Sequence, residues 1–340
     1  MNTQLLIDTA NKLFDDHKGL LAMDESNPTC DKRFAKLGIP QTEEARRAYR
    51  ELIVTTPGLG DYISGAILYD ETIRQKKKDG SFFIEVIKDA GIIPGIKVDT
   101  GAKAMAGFPQ EKITEGLDGL RERLREYYQM GARFAKWRAV IAIGDGIPSR
   151  GCIEANAHAL ARYAALCQEV GLVPVVEPEV LMDGEHTLMR CGEVTEKVLR
   201  TVFNQLYIQR VMLEGMILKP NMVLPGSACP QQETVDEVAD ATVACFLRAV
   251  PAAVGGVAFL SGGQSAELAS ARLNAMNVRF KSCLPWPLLF SFARAIQQPA
   301  LEIWQGKEPN VSAAQKALYH RAKCNWAARR GEYNAAMEKG

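Results

Sequence analysis

Eight short β-rich runs, each followed by a stretch of helix length, constrain this chain more than any other feature. The runs are Leu20–Asp24, Tyr62–Leu68, Pro94–Val98, Phe134–Val140, Val173–Glu179, Met216–Pro220, Gly256–Ser261 and Leu288–Phe292. Between them the apolar residues fall at helical spacing. Leu117, Leu120, Leu124 and Tyr128 recur at threes and fours before a stop at Gly131. Ala157, Leu160, Ala161, Ala164 and Cys167 do the same before Gly171. Thr234 and Glu237 form a capping box ahead of Val235, Val238 and Thr242. Strand and helix alternating eight times predict an α/β chain closed into a parallel (β/α)8 TIM barrel, with an open doubly wound sheet as the alternative. Such a barrel needs about 250 residues, and the chain has 340. The whole chain, 1–340, therefore reads as a single domain. The barrel covers roughly 19–306, after an amphipathic N-terminal helix. The segment 307–340 reads as a C-terminal helix over Val311–Tyr333 with a short tail. The charge run RQKKKDG (Arg74–Gly80) reads as a solvated loop.

The formal charge of +1 argues against nucleic acid or an acidic membrane surface as the main partner. No run of about 18 apolar residues occurs, so no bilayer span is expected. The opening MNTQLLIDTANKLFDDHKG lacks the basic start, apolar centre and cleavage site of a signal peptide. None of the eight cysteines forms a C-x-x-C pair, which fits reduced thiols in a cytosol-like compartment. His17, His158, His186 and His320 are scattered, so no metal is expected. G-x-x-x-x-G-K-[ST] is absent and GLGDYI does not satisfy G-x-G-x-x-G, so no nucleotide cofactor is expected either.

In this fold the active site lies at the C-terminal ends of the strands. The runs end in charge: Asp24 on the first, Lys97 and Asp99 on the third, Lys136 and Arg138 on the fourth. Glu177 and Glu179 lie on the fifth, Lys219 and Ser261 end the sixth and seventh, and Arg294 follows the eighth. Residues i and i+2 of a strand share a face, so Lys136 points with Arg138, and Glu177 with Glu179. Ionised groups inside a barrel cost several kcal/mol each unless paired. Asp24, Lys136, Glu177 and Lys219 can converge and neutralise one another, either as ion pairs closing the barrel top or as catalytic groups.

Lys219 ends the apolar run Met216–Leu218 and precedes Pro220. It reads either as a lysine snorkelling to the mouth or as an amine that burial and a neighbouring cation such as Lys136 make nucleophilic. In the second case it attacks a ketone, Glu177 supplies the acid for dehydration, and Asp24 takes a substrate hydroxyl proton. FLSGGQS (Phe259–Ser265) leads from a strand through two glycines to a helix start, with backbone N–H groups open to an oxyanion. Arg294, at the start of the next helix, opposes the helix dipole unless an anion lies between them. Ser261, Gly262 and Arg294 are thus one candidate phosphate site, and Ser26, Thr29, Arg33 and Lys97 a second.

These residues resemble the class I fructose-bisphosphate aldolases. The matching segments are LLAMDESN (20–27), TTPGLGDYISGAIL (55–68), PGIKVDTG (94–101), GARFAKWR (131–138), VPVVEPE (173–179), LEGMILKPNMV (213–223), AFLSGGQS (258–265) and SFARAIQ (291–297). They follow the family's order over nearly the whole chain and are most similar to the plastid and cyanobacterial type. The resemblance implies reversible cleavage of fructose 1,6-bisphosphate by a cofactor-free enzyme. It makes Lys219 the Schiff-base lysine and Glu177 the dehydration acid–base, supported by Glu179. It puts Asp24 on the C4 hydroxyl, Lys136 in charge balance, and Arg138 near the distal phosphate. Ser261, Gly262 and Arg294 would hold the C1 phosphate, and Ser26, Thr29 and Lys97 would face that at C6. It further implies a homotetramer, in a bacterial cytoplasm or, as a processed protein, a plastid stroma. Two positions depart from the family pattern. Ala293 stands where the family has glycine. The sequence ends AAMEKG, with Tyr333 too early to match the family's terminal tyrosine. C–C cleavage is then expected to survive while enamine protonation slows.

Other readings use the same residues. A related Schiff-base lyase preferring sedoheptulose 1,7-bisphosphate would differ in relative kcat/KM on the two sugars. A metal-dependent aldolase lacks its histidine spacing. A non-catalytic scaffold would be expected to have lost one of Asp24, Lys136, Glu177 and Lys219.

Overall fold

The computed structural model describes residues 2–339. Its strands are β1 (Gly19–Ala22), β2 (Ile63–Leu68), β3 (Ile93–Lys97), β4 (Gly101–Ala104), β5 (Lys112–Glu115), β6 (Phe134–Ile141), β7 (Val173–Val180), β8 (Ile217–Leu218), β9 (Gly256–Phe259) and β10 (Leu288–Phe292). Eight of them close a parallel barrel in the order β1-β2-β3-β6-β7-β8-β9-β10. This excludes the open sheet. The antiparallel hairpin β4–β5 lies outside the barrel and was not legible in the sequence.

Helix ends follow their sequence signals. Gly131 (φ 113°) and Gly171 (φ 92°) end helices Leu120–Met130 and Arg150–Val170 in the left-handed region that favours glycine. Both halves of the Thr234–Glu237 capping box form, at the start of helix Val235–Ala249. The C-terminal helix runs Val311–Arg330 and stops at Gly331, short of the expected Tyr333. Strand ends differ too. The expected runs reach Asp24, Pro220 and Ser261, whereas β1, β8 and β9 end at Ala22, Leu218 and Phe259. The backbone still continues the ladder a little way: Met23 donates to Ile67 and Lys219 to Val176. Pro220 has no N–H to continue it.

The interior shows the parity of the strands. Phe134, Val173, Val175, Ile217, Ala258 and Leu289 form the packed floor with Leu20, Ala22 and Ile67. Helix Thr3–Phe14 closes the N-terminal mouth with Leu6, Ala10, Leu13 and Phe14. Glycines make room for the two aromatic plugs. A Cβ at Gly95 would lie 2.3 Å from the Phe134 ring, and one at Gly256 2.4 Å from that of Phe14. Gly95→Ala is therefore expected to destabilise the barrel by about 1–3 kcal/mol, read as a lowered midpoint in urea unfolding. An unchanged midpoint would mean that the floor repacks freely.

Candidate active site

One residue pair up each strand from that apolar floor, the inward positions become charged. Phe134 gives way to Lys136 and Arg138, Val175 to Glu177 and Glu179, and Ile217 to Lys219. Register sets them level: Lys136 lies opposite Lys97 and Val175, and Arg138 opposite Glu177. Asp24 enters from the turn after β1. All thirteen residues nominated from the sequence line one cavity of about 850 Å³ at this end of the barrel. They are Asp24, Ser26, Thr29, Arg33, Lys97, Lys136, Arg138, Glu177, Glu179, Lys219, Ser261, Gly262 and Arg294.

The innermost four are buried, Lys219 and Glu177 to 3% exposure. Lys136 Nζ lies 2.5 Å from Asp24 Oδ2 and 3.1 Å from Glu177 Oε2. Lys219 Nζ lies 3.1 Å from Glu177 Oε1. Glu177 thus bridges two buried amines. Burial pushes its carboxyl up, but Lys136, Lys219 and Arg138 outweigh that and hold it below its ordinary value. Burial likewise opposes ionisation of Asp24, and Lys136, Lys219 and Lys97 overcome it, so Asp24 stays far below the usual carboxylate range. For Lys136, burial favours the neutral amine, but Asp24 and Glu177 drive it well above the usual lysine value. Arg138 Nε donates to Glu179 Oε2 at 2.5 Å, outside this inner set.

Two groups of residues lining the cavity are suited to anions. Ser261 is buried, and Gly262 (φ 58°) and Gly263 (φ 95°) both need the left-handed conformation. A Cβ on Gly263 would sit 3.1 Å from Arg294 Nη2, so that guanidinium lies over the glycine backbone. Ala293 has φ −103°, a sign open to any residue, so the family's glycine is not required there. In the second group Ser26 caps helix Asn27–Ala35 without a side-chain cap bond, and its hydroxyl lies 3.0 Å from that of Thr29. Arg33 is one turn on, on the face of Thr29. Arg33 is less free than the sequence suggests, because Nη1 is 2.5 Å from Glu25. Eight lysines and arginines line the cavity against five acids, which suits a ligand with two phosphates.

Known proteins share this sequence and this fold. The profile described as fructose-bisphosphate aldolase class I matches residues 5–340. The chain belongs to the class I fructose-bisphosphate aldolase family. It is 58% identical over 334 residues to the probable class 1 aldolase of Xanthomonas campestris pv. campestris, covering 98% of this chain and 99% of that one. It is 50% identical to the chloroplastic fructose-bisphosphate aldolase 3 of Arabidopsis thaliana, covering 98% and 84%. In structure it is similar to the fructose-bisphosphate aldolase of Plasmodium falciparum, solved with TRAP and a small-molecule inhibitor. The TM-score is 0.95 at 47% identity, covering 98% and 96% of the two chains. The aldolase is thus a carbon–carbon lyase that reversibly cleaves fructose 1,6-bisphosphate to dihydroxyacetone phosphate and glyceraldehyde 3-phosphate through a lysine Schiff base.

Sequence reasoning missed several cavity residues. Glu25 lies within LLAMDESN, next to Asp24, and carries no strand-parity signal of its own. Ser291 shares the inward parity of Leu289, is 1% exposed, and its hydroxyl has no hydrogen-bond partner among the described residues. Parity alone would have found it. Among the described residues, His320, Cys324 and Glu338 are the one grouping of three potential metal ligands. It lies outside the cavity, and both Glu338 oxygens already accept from Arg321. All eight cysteines are free, and only Cys283 is exposed. No described helix is long and apolar enough to cross a membrane.

Proposed function

We propose that Lys219 is the Schiff-base lysine of this aldolase and that Glu177 moves the protons of imine formation. The observation that carries this is the Glu177 carboxylate, 3.1 Å from Lys219 Nζ and 3.1 Å from Lys136 Nζ. Lys219 passes a proton to Glu177 and attacks C2 of the open-chain ketose. Glu177 returns the proton to the carbinolamine hydroxyl, which leaves as water. The resulting iminium is the electron sink. Asp24 takes the C4 hydroxyl proton, the C3–C4 bond breaks, and its electron pair moves into the iminium to give an enamine. Glyceraldehyde 3-phosphate leaves. The enamine is protonated at C3, and hydrolysis returns Lys219 and dihydroxyacetone phosphate. Lys136 keeps both carboxylates ionised, and Glu179 holds Arg138. Ser261, Gly262 and Arg294 take the C1 phosphate, while Ser26, Thr29, Arg33 and Lys97 take that at C6.

Borohydride reduction in the presence of dihydroxyacetone phosphate, followed by peptide mass mapping, tests this. The expected adduct is on the peptide containing Lys219. An adduct on another lysine, or none together with cleavage sensitive to EDTA, would overturn the assignment.

The same reading takes residues 1–340 as a single domain, with the barrel over roughly 19–306. The family resemblance supports a homotetramer. The bacterial and plant relatives support a bacterial cytoplasm or, after processing, a plastid stroma.

A further inference from the structure

Beside Ser26 in the cavity wall lies a buried carboxylate with more cation than it needs. Glu25 Oε1 is 2.5 Å from Arg33 Nη1 and accepts from Gln297 Nε2 at 3.0 Å. Its Oε2 accepts from Arg50 Nη1 at 2.7 Å, and Arg50 Nη2 donates to the Glu25 carbonyl at 3.2 Å. Gln297 is fixed in turn: its amide donates to the Ala22 carbonyl at 2.5 Å, and its oxygen accepts from Tyr49 at 3.1 Å. The two arginines differ in access. The Arg50 side chain is 3% exposed and lies outside the cavity, whereas that of Arg33 is 20% exposed and lines it. One guanidinium neutralises the carboxylate, so the second carries a surplus charge toward the cavity.

We infer that Glu25 is an internal counter-anion for Arg33, exchanged for the distal phosphate of the substrate, and that Arg50 keeps Glu25 neutralised once Arg33 turns to the phosphate. Arg50 and Glu25 are then positioning residues that set preference for a second phosphate. The inference rests on reading Ser26, Thr29, Arg33 and Lys97 as the distal phosphate site. No bond is made or broken in the exchange. Arg33 needs only a rotamer change, and its neighbour Thr29 is one helical turn away on the same face. Without Arg50, Arg33 is the one cation among the described residues still paired with Glu25, and releasing it would leave a buried carboxylate unpaired. Without the Glu25 charge, Arg33 is free for the phosphate from the start.

The two variants therefore move affinity in opposite directions, which loss of structure cannot do. The test compares steady-state kinetics on fructose 1,6-bisphosphate and on fructose 1-phosphate, which lacks the distal group. Arg50→Met is expected to raise KM for the bisphosphate about tenfold, with KM for the monophosphate within about twofold. Glu25→Gln is expected to lower KM for the bisphosphate about threefold and to leave the monophosphate unchanged. Circular dichroism checks the fold of Arg50→Met, and should that variant be unfolded, Glu25→Gln decides alone. Arg33→Ala separates the two levels of the argument. If it affects both sugars alike, the distal-site reading fails and the inference with it. If Arg33→Ala discriminates between the sugars but Glu25→Gln does not lower KM for the bisphosphate, the exchange is wrong and the site reading stands.

Discussion

Lys219→Met is expected to lower kcat for fructose 1,6-bisphosphate cleavage by roughly 10⁴–10⁶-fold, the scale seen when a covalent nucleophile is removed. Methionine has nearly the length of lysine and suits a position that is 3% exposed, so the barrel keeps its shape. Glu177 keeps Lys136 as its counter-ion, at 3.1 Å. The variant should therefore melt within a few degrees of the parent while failing to trap dihydroxyacetone phosphate with borohydride. The other inner amine, Lys136, does not take over as the iminium, because it is held between two carboxylates and kept protonated. A kcat within tenfold of the parent, in a folded variant, would show that carbon–carbon cleavage proceeds without this amine.

The parts of this site visible in the sequence were those governed by parity. The two-residue period of a strand puts Lys136 with Arg138 and Glu177 with Glu179, and the fold rule says which end they occupy. Which carboxylate faces which amine was not visible, because it depends on register between strands. Arg138 is level with Glu177 but pairs with Glu179 across the strand gap. Strand ends were misjudged where an extended backbone outlasts the formal ladder, as at Lys219 before Pro220. The hairpin β4–β5 escaped because GAKA and KITE are four-residue strands with mostly exposed or half-buried side chains, so no apolar alternation marks them. Arg50 escaped for a different reason. It lies in EEARRAYRELIV, where charges read as a solvent face, and its carboxylate partner is 25 residues away in the loop after β1. A buried ion pair of this kind leaves no local periodicity to read.

Removing Lys136 should have the second largest effect, and it should give stability a pH dependence between about pH 5 and 8 that the parent lacks. In the parent, Asp24 and Glu177 titrate below their ordinary values in the folded state. Their contribution is fully present above about pH 4.3, the unfolded carboxyl range, and is lost as pH falls through their folded values. Lys136 titrates above its ordinary value, so its contribution is present below about pH 10.4 and is lost as pH rises through its folded value. Parent stability from these groups is thus level between about pH 5 and 8. In Lys136→Met, two buried carboxylates face fewer cations, and burial, the largest influence on each, raises their folded values above the unfolded ones. The folded variant then binds protons more tightly than the unfolded chain, so its stability grows as pH falls from about 8 to 5. At neutral pH the loss should be about 3–5 kcal/mol, as for other broken buried pairs. Activity follows the same logic. A protonated Asp24 cannot accept the C4 hydroxyl proton, so kcat should drop by about 10²–10⁴-fold, with the acidic limb of its pH profile displaced upward. Urea unfolding at several pH values and kcat across the same range measure both. A variant whose stability stays level over that range would show that Lys136 is not what keeps Asp24 and Glu177 ionised, leaving Lys219, Lys97 and Arg138 to do so.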